Sequence, residues 1–338
     1  MENTTWPKLS VNILGTNEKH HLPRALTSIY DQDYPNFEVT YIDNASTDGS
    51  EEYVRTTFPH VKIIQTGENR HYGPAHNKGI KGTDGELISF LNSDLKLSPN
   101  YFSECVKAML KDPKIASVQG KMLRPEPNAD GQYIFDGTGL VINRMRVVKD
   151  RGQLEVDRGQ YDTPEEVFAV CGAAPVHRRA ALEDIAIDGE VIDEDITAFF
   201  DDSDIGWRLQ HQGWKVWYQP TAVLYHERGV GQSPTGYRNI FALAKFRKQF
   251  SLRTKQLSWK NKIYIVLKND FGKTLRRDWF KILARELATF AFILVFETAT
   301  LKVLPTVFKQ LPNIMRKRKI IKERSVLGDN NINRFIIA

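Results

Sequence analysis

At 338 residues, with 41% hydrophobic, 11% aromatic and 26% charged positions, the chain has the material for a sizeable folded core, and this composition excludes a disordered or low-complexity protein. Its two cysteines, Cys105 and Cys171, lack metal-ligand spacing, and no basic-then-apolar leader follows Met1; the expected setting is reducing and cytosolic, with buried or inert thiols and at most one disulfide. The net charge of +6 is unevenly placed: residues 245–324 carry twenty-one Lys and Arg against five acids, whereas residues 1–244 sum to −10. That division predicts an anionic surface as the partner of the C-terminal part, with lipid and nucleic acid as the candidates.

In chain order, Val11–Leu14 reads as a strand, His21–Asp31 as a helix, Glu38–Ile42 as a strand, Ser50–Thr57 as a helix and Val61–Gln65 as a strand. Ala75–Lys81 is then helical, and Leu87–Leu91 is a strand that stops at Asn92-Ser93-Asp94. Short β-rich runs alternating with helices are the pattern of parallel βαβ units, whose ligands lie beyond the strand C-termini. After Pro99 a helix over Tyr101–Leu110 leads to Ala116–Met122. Residues Pro125–Thr163 are rich in Gly, Asp and Arg with weak periodicity and read as an insertion of hairpin character. Val167–Val170 and Pro175–His177 resemble short strands around Gly172-Ala173-Ala174, and a helix starts at Arg179. A further helix covers Ser203–Gln212 and ends at Gly213, before strands at Trp214–Tyr218 and Ala222–Tyr225.

Beyond Gly231 the chain turns helical, basic and aromatic, with no further strand signal and no internal repeat. Its most apolar stretch, Leu287–Leu304, is interrupted by Glu297 and Lys302, which disfavours a spanning helix of about 20 apolar residues. Arg276, Arg277, Lys281 and Arg285 precede it and Arg316–Lys319 follow, a pattern that suits an amphipathic helix in the plane of a membrane interface. Trp279, Phe280, Phe290 and Phe292 interleave with these cations, so lipid is preferred over nucleic acid.

Four polar clusters fall at strand ends or in loops: Thr16-Asn17-Glu18, Asp43 through Ser50, Asn92-Ser93-Asp94, and Asp201-Asp202-Ser203-Asp204. Each alone reads equally well as a turn or a helix N-terminus, which such residues favour. Together and in this order, with Glu68-Asn69, Asn77-Lys78-Gly79-Ile80 and Asp201 through Leu209, they resemble the family 2 glycosyltransferases of the GT-A fold, particularly the rhamnosyltransferase-like branch, over about Leu9 to His226.

That resemblance implies a set of roles. Thr16 and Glu18 would contact base and ribose, and Asp43 would accept a hydrogen bond from a pyrimidine N3–H, which suits uracil or thymine and not cytosine. Asn92-Ser93-Asp94 is similar to the family's Asp-x-Asp motif with Asn in place of the first carboxylate. Asp94 would bind Mg2+ or Mn2+ on the diphosphate, Asn92 would contact ribose or a metal-bound water, and His226 matches a position that supplies a further metal ligand in some members. Asn77, Ser93 and Arg208 are placed with the donor-holding residues, although Arg208 could instead support the carboxylates; Trp207 reads equally as core. Asp202 would be the general base of inverting transfer, Asp201 standing where the family has Glu, with neighbouring carboxylates raising its proton affinity. Gly172-Ala173-Ala174 resembles the segment flanking the acceptor or is a tight strand turn. Glu227–Ser233, with Arg228, reads as a loop that closes over the donor.

The expected architecture is therefore an α/β GT-A catalytic domain over residues 1–235, a mixed and mostly parallel sheet flanked by helices. Residues 1–97 would bind the nucleotide sugar and 98–235 would carry acceptor site and base, with a basic helical region at 236–338. The implied activity is inverting, metal-dependent transfer of a sugar such as rhamnose from a UDP- or dTDP-sugar to a lipid-linked saccharide, at the cytoplasmic face of the cell membrane and peripheral to it. A polyprenyl-phosphate sugar synthase and a non-catalytic nucleotide-sugar-binding protein are the alternatives. The C-terminal part could also pack against a second chain, as a homo-oligomer.

Overall fold

The computed structural model describes residues 5–227, 239–327 and 330–337, and statements of absence below refer to these. The first half alternates as the sequence pattern demands: β1 (Leu9–Gly15), α1 (Leu22–Tyr30), β2 (Phe37–Asp43), α2 (Ser50–Thr57), β3 (Lys62–Gln65), α3 (Tyr72–Lys81), β4 (Leu87–Asn92) and the short β5 (Leu95–Leu97). Nearly every residue of β1 and β4 is buried, as expected of central parallel strands covered on both faces. β1 pairs in parallel with β2 and β4, and β2 with β3, so all four end on one edge of the sheet.

The second half comprises α4 (Tyr101–Lys111), β6 (Ile115–Leu123), β7 (Phe135–Gly137), β8 (Leu140–Asn143), β9 (Val148–Asp150), β10 (Glu165–Glu166), β11 (Val176–Arg178), α5 (Arg179–Asp184), α6 (Asp201–Gln212) and β12 (Lys215–His226). The main sheet runs β10-β12-β6-β11-β4-β1-β2-β3, with β5 on β12 and β7 on β6. β11 is antiparallel to both its neighbours, which makes the sheet mixed. The expected insertion is there, with β8 and β9 forming an antiparallel pair. Two expectations change. The strands at Trp214–Tyr218 and Ala222–Tyr225 are one, β12, with a register shift against β6 between Gln219 and Val223. Val167–Val170 is not a strand: it joins the second sheet through a single bridge from Ala169 to Leu140.

Among the described residues five α-helices, a 3-10 turn and a strand follow: α7 (Ile240–Arg247), α8 (Leu252–Asn269), α9 (Lys273–Phe296), the 3-10 turn over Thr298–Val303, α10 (Leu304–Arg324), α11 (Asn330–Asn333) and β13 (Ile336–Ile337). β13 pairs in parallel with β8, a strand that the sequence did not announce because two residues carry no periodicity. No single helix is long and apolar enough to cross a membrane; α9 and the segment from Thr298 to Arg324 bend by 116° at their junction. Cys105 and Cys171 are free.

The helical region is docked on the α/β domain through buried ion pairs. Arg146, in the β8–β9 turn, holds Asp270 at 2.8 Å and Asp278 at 3.0 Å with all three side chains buried. Lys268 pairs with Asp193 and Asp204, and Lys317 with Asp193 and Asp195. Part of the C-terminal positive charge therefore faces the acidic domain of the same chain.

α6 packs against the turn at Phe168 and Ala169, Trp207 meeting Phe168 edge to face. A Cβ at Gly206 would lie 2.2 Å from that of Ala169. Gly206→Ala is expected to lower stability by about 1–3 kcal/mol through overpacking, read as a reduced urea midpoint with an unchanged m-value.

Candidate functional site

At the C-terminal edge of the sheet the β1–α1 and β2–α2 loops are stitched together. The Thr16 hydroxyl lies 3.5 Å from the Asn44 carbonyl, Asn17 accepts from the Thr47 amide at 2.7 Å, and Asp48 accepts from the Lys19 amide at 3.0 Å. Asp43, nearly fully buried at the end of β2, accepts from the Ser46 amide at 3.3 Å. Asn44 ties in the next loop, accepting from the Arg70 amide at 2.9 Å. Glu18 lies 3.6 Å from His21, and burial, with the negative charge of Asp94 adding to it, raises its pKa. Glu18, His20 and His21 bring ligand atoms within 4.8 Å of one another.

Leu14 of β1 faces Asn92 of β4, and Gly15 faces Asp43 of β2. At a strand spacing of roughly 4.8 Å the Asp43 and Asn92 backbones are about 10 Å apart. Ser93, next in the chain, is buried. The Asp94 Oδ1 atom lies 3.3 Å from His226 Nε2, yet it is buried and makes no hydrogen bond. On the other side of the imidazole, Nδ1 meets Asp136 Oδ2 at 2.8 Å. Burial alone would lower the His226 pKa; Asp136 and Asp94 outweigh it and push it up to about 9. For Asp94, burial works upward and His226 downward, and the net shift is downward.

This corner suits a divalent cation. An orphaned carboxylate oxygen and an imidazole nitrogen converge, and the second imidazole nitrogen is fixed by a buried carboxylate, the usual support of a metal-ligating histidine. Asp94 and His226 would be the protein ligands. Asp136 was invisible to sequence reasoning, since it sits in an aperiodic insertion and reaches the site through His226.

The base candidates stand at the start of α6. Phe199 and Phe200 both take left-handed backbone, with φ of 67° and 68°, and Asp201 and Asp202 follow. Asp202 accepts from the Ser203 amide at 2.6 Å, and its other oxygen lies 3.4 Å from the Gly172 amide. Burial raises the pKa of Asp201, and Asp202 adds to it; burial also raises Asp202, helped by Asp150. Asp204, one turn on, behaves oppositely: burial pushes it up, but Arg208 and Lys268 prevail and lower it. Tyr72 donates to the Gly172 carbonyl at 2.7 Å, and a Cβ at Gly172 would lie 3.2 Å from the Tyr72 hydroxyl oxygen, so only glycine fits there without displacement.

The donor-edge and α6 clusters are contiguous. The Asn92 amide donates to the Ala173 carbonyl at 2.9 Å, and Gly172 reaches Asp202 from the same segment. The Glu227 amide in turn donates to the Asp94 carbonyl at 2.9 Å. One sequence assignment, Asn77, is corrected, and for Arg208 the structure favours one of the two roles left open. Asn77 is buried in α3, where its amide donates to the Ile192 carbonyl at 2.7 Å and accepts from the Ile192 amide at 3.0 Å; its polar groups anchor the 192 segment and are not turned to the strand-end cleft. Arg208 is buried, with its guanidinium bound to Asp204 at 2.9 Å and to the carbonyls of Ile185 and Val191. It supports the carboxylates, one of the two roles that the sequence left open to it. Trp207 is core. Arg228 and the remainder of the Glu227–Ser233 loop after Glu227 lie outside the described residues.

Residues 10–184 match the family model described as Glycosyl transferase family 2. An N-acetylglucosaminyl-diphospho-decaprenol L-rhamnosyltransferase of Mycobacterium tuberculosis is 26% identical over 239 residues, which is 64% of this chain and 76% of that protein. The first curated relatives are spanned less fully, over 25% and 32% of their own length. Among solved structures, a mannosyltransferase from Pyrobaculum calidifontis in complex with GDP-Man and Mn2+ superposes with a TM-score of 0.53 at 16% identity, covering 95% of this chain and 86% of that one. GalNAc-T7 with UDP, GalNAc and Mn2+ gives 0.56 at 15% identity, covering 79% and 48%. At such identities the likeness is one of fold, a mixed α/β sheet of the GT-A kind.

The raised carboxyls make stability depend on pH. Between the ordinary carboxylate value, about 4, and their raised values the folded state holds protons that the unfolded state has lost, so stability falls as pH rises through that window by up to about 1.4 kcal/mol per unit and per proton. Asp201→Asn should flatten this fall. Urea midpoints from pH 4 to neutrality test it, and parallel profiles for variant and parent would contradict the assignment.

Proposed function

The chain belongs to glycosyl transferase family 2, and from that premise we propose that it is an inverting, metal-dependent glycosyltransferase acting on a UDP- or dTDP-sugar and a lipid-linked saccharide. The observation that carries the reading is Asp202. It is a carboxylate with raised proton affinity, set against the Gly172–Ala174 segment, whose backbone also touches the strand carrying Asn92. An acceptor hydroxyl lying along those small residues would give its proton to Asp202 as its oxygen attacks the anomeric carbon. The bond from that carbon to the diphosphate oxygen breaks on the opposite face, which inverts the configuration.

Asp43 would accept from the pyrimidine N3–H, with Thr16, Glu18, Asn92 and Ser93 around base and ribose. Asp94 and His226 would hold Mg2+ or Mn2+, and the cation supplies charge neutralisation of the departing diphosphate. Mn2+ and a nucleotide or nucleotide sugar accompany both solved neighbours. The relative from Mycobacterium tuberculosis, by its name, acts on a diphospho-decaprenol saccharide, which supports rhamnose as the sugar transferred and a saccharide carried on a lipid diphosphate as acceptor.

A lipid acceptor calls for a membrane surface, and α9 offers one. Phe280, Leu283, Leu287, Phe290 and Leu294 follow one another at spacings of three and four residues, and all are exposed, so they form one outward apolar stripe. Exposed Lys273, Arg276 and Lys302 flank it. This is the pattern of a helix lying in an anionic interface, and we place the protein as peripheral on the cytoplasmic face.

A thermal-shift series with UDP- and dTDP-sugars tests the donor reading: donor with Mn2+ should raise the melting temperature, and Asp94→Ala should abolish the Mn2+-dependent part. Asp202→Asn is expected to keep that shift and lose at least about 100-fold of transfer. Transfer should also fail on the acid side at a pH above the ordinary carboxylate range, because only the ionised base accepts a proton. Retained transfer in Asp202→Asn would remove the base assignment. For the membrane reading, Phe280→Ser with Leu287→Ser should reduce co-sedimentation with anionic liposomes severalfold at unchanged melting temperature, since both residues are already exposed.

A further inference from the structure

Non-glycine residues in left-handed backbone are strained and persist where their surroundings over-determine them. Here two stand in succession, Phe199 and Phe200, immediately before Asp201 and Asp202. Relaxation of either to helical backbone would change φ by roughly 130° and swing the carboxylates away from Gly172.

What holds the turn comes from α8, more than fifty residues later in the chain. Asn261 is fully buried, and its Nδ2 donates to the carbonyl oxygens of Ala198 and Phe199, the latter at 3.2 Å. Eight residues on, just over two helical turns and hence on the same face, Asn269 donates from Nδ2 to Asp204 Oδ1 at 2.7 Å, and Lys268 pairs with the same carboxylate at 2.8 Å. Ile265, between these two rungs, packs with Ile196 and the partly buried Phe200. One face of α8 thus grips the segment both before and after the carboxylate pair.

We infer that α8 is a positioning element for the base, with Asn261 and Asn269 keeping Asp202 turned to the Gly172 segment without touching any reacting atom. The inference rests on the reading of Asp202 as base. It means that the C-terminal helices belong to the catalytic unit as well as to the surface that meets lipid, and that trimming the chain before α8 removes a part of the active site.

The test uses the full chain with Asn261→Ala, Asn269→Ala, Asp202→Asn and the double variant Asn261→Ala/Asp202→Asn. Each α8 variant should lose roughly ten- to a hundredfold in kcat, the scale of a misplacement of about 1 Å, with the donor KM within about twofold, since Asp43 and Asp94 stand on other loops. The double variant should be no slower than Asp202→Asn alone, because residues acting as one unit are not additive. Should Asn261→Ala not fold, Asn269→Ala, which leaves the strained turn capped, carries the comparison. Unchanged kcat in the α8 variants, a donor KM that rises as kcat falls, or additive loss in the double variant would each overturn the inference. Active Asp202→Asn would instead overturn the base itself, a separate result in the same experiment.

Discussion

Carboxylates taken out of water must be matched by cations or must hold their protons, and this constraint organises the molecule. Asp193, Asp204, Asp270 and Asp278 are buried with partners: Lys268 and Lys317 for the first, Arg208 and Lys268 for the second, and Arg146 for the last two. Asp201 and Asp202 lie beside this network with no cation against them. Their proton affinity rises for that reason, against the pull of the helix N-terminus, which favours negative charge, and the proposed role of Asp202 as base rests on this rise.

The same accounting changes the meaning of the charge division along the chain. A basic C-terminal region joined to an acidic domain points outward when read as a sequence, to a membrane or a polyanion. In the fold, Lys268, Lys317 and Arg318 face inward, Lys317 onto Asp193 and Asp195 and Arg318 onto the Leu267 carbonyl. Other cations and the apolar stripe of α9 remain on the surface. The region therefore has two faces of different chemistry, one completing the α/β domain and one open to solvent, and the proposed functions of base positioning and lipid contact fall on different faces.

At the sheet edge the logic is topological. Parallel strands finish together, so the loops after β1, β2 and β4 meet whatever their distance in sequence. Asp94 is turned to His226 because β5 pairs with the end of β12, bringing Leu95 opposite His226. The register of two antiparallel strands, and not any local motif, thus brings together the two candidate metal ligands, while Asp136 fixes the ring from a third direction.

The βαβ alternation, the strand-end clusters and the helix carrying Asp202 were legible because they are local: periodicity of two or 3.6 residues, turn residues at strand ends, and acids at a helix start. Asn77 was misread and Arg208 was left between two roles because a motif position says which residue is present and not which partner takes its hydrogen bonds. Two backbone groups of Ile192 take the first, and Asp204 with two carbonyls takes the second. Asp136, Tyr72, Asn261 and Asn269 had no signal at all, since each acts through a partner from 62 to 100 residues away. The amino-acid order alone determined which elements form and which carboxylates stand at their ends. Tertiary packing alone decided which of those carboxylates meet a cation and which are left to hold a proton, because that choice depends on distances between segments that no spacing along the chain encodes.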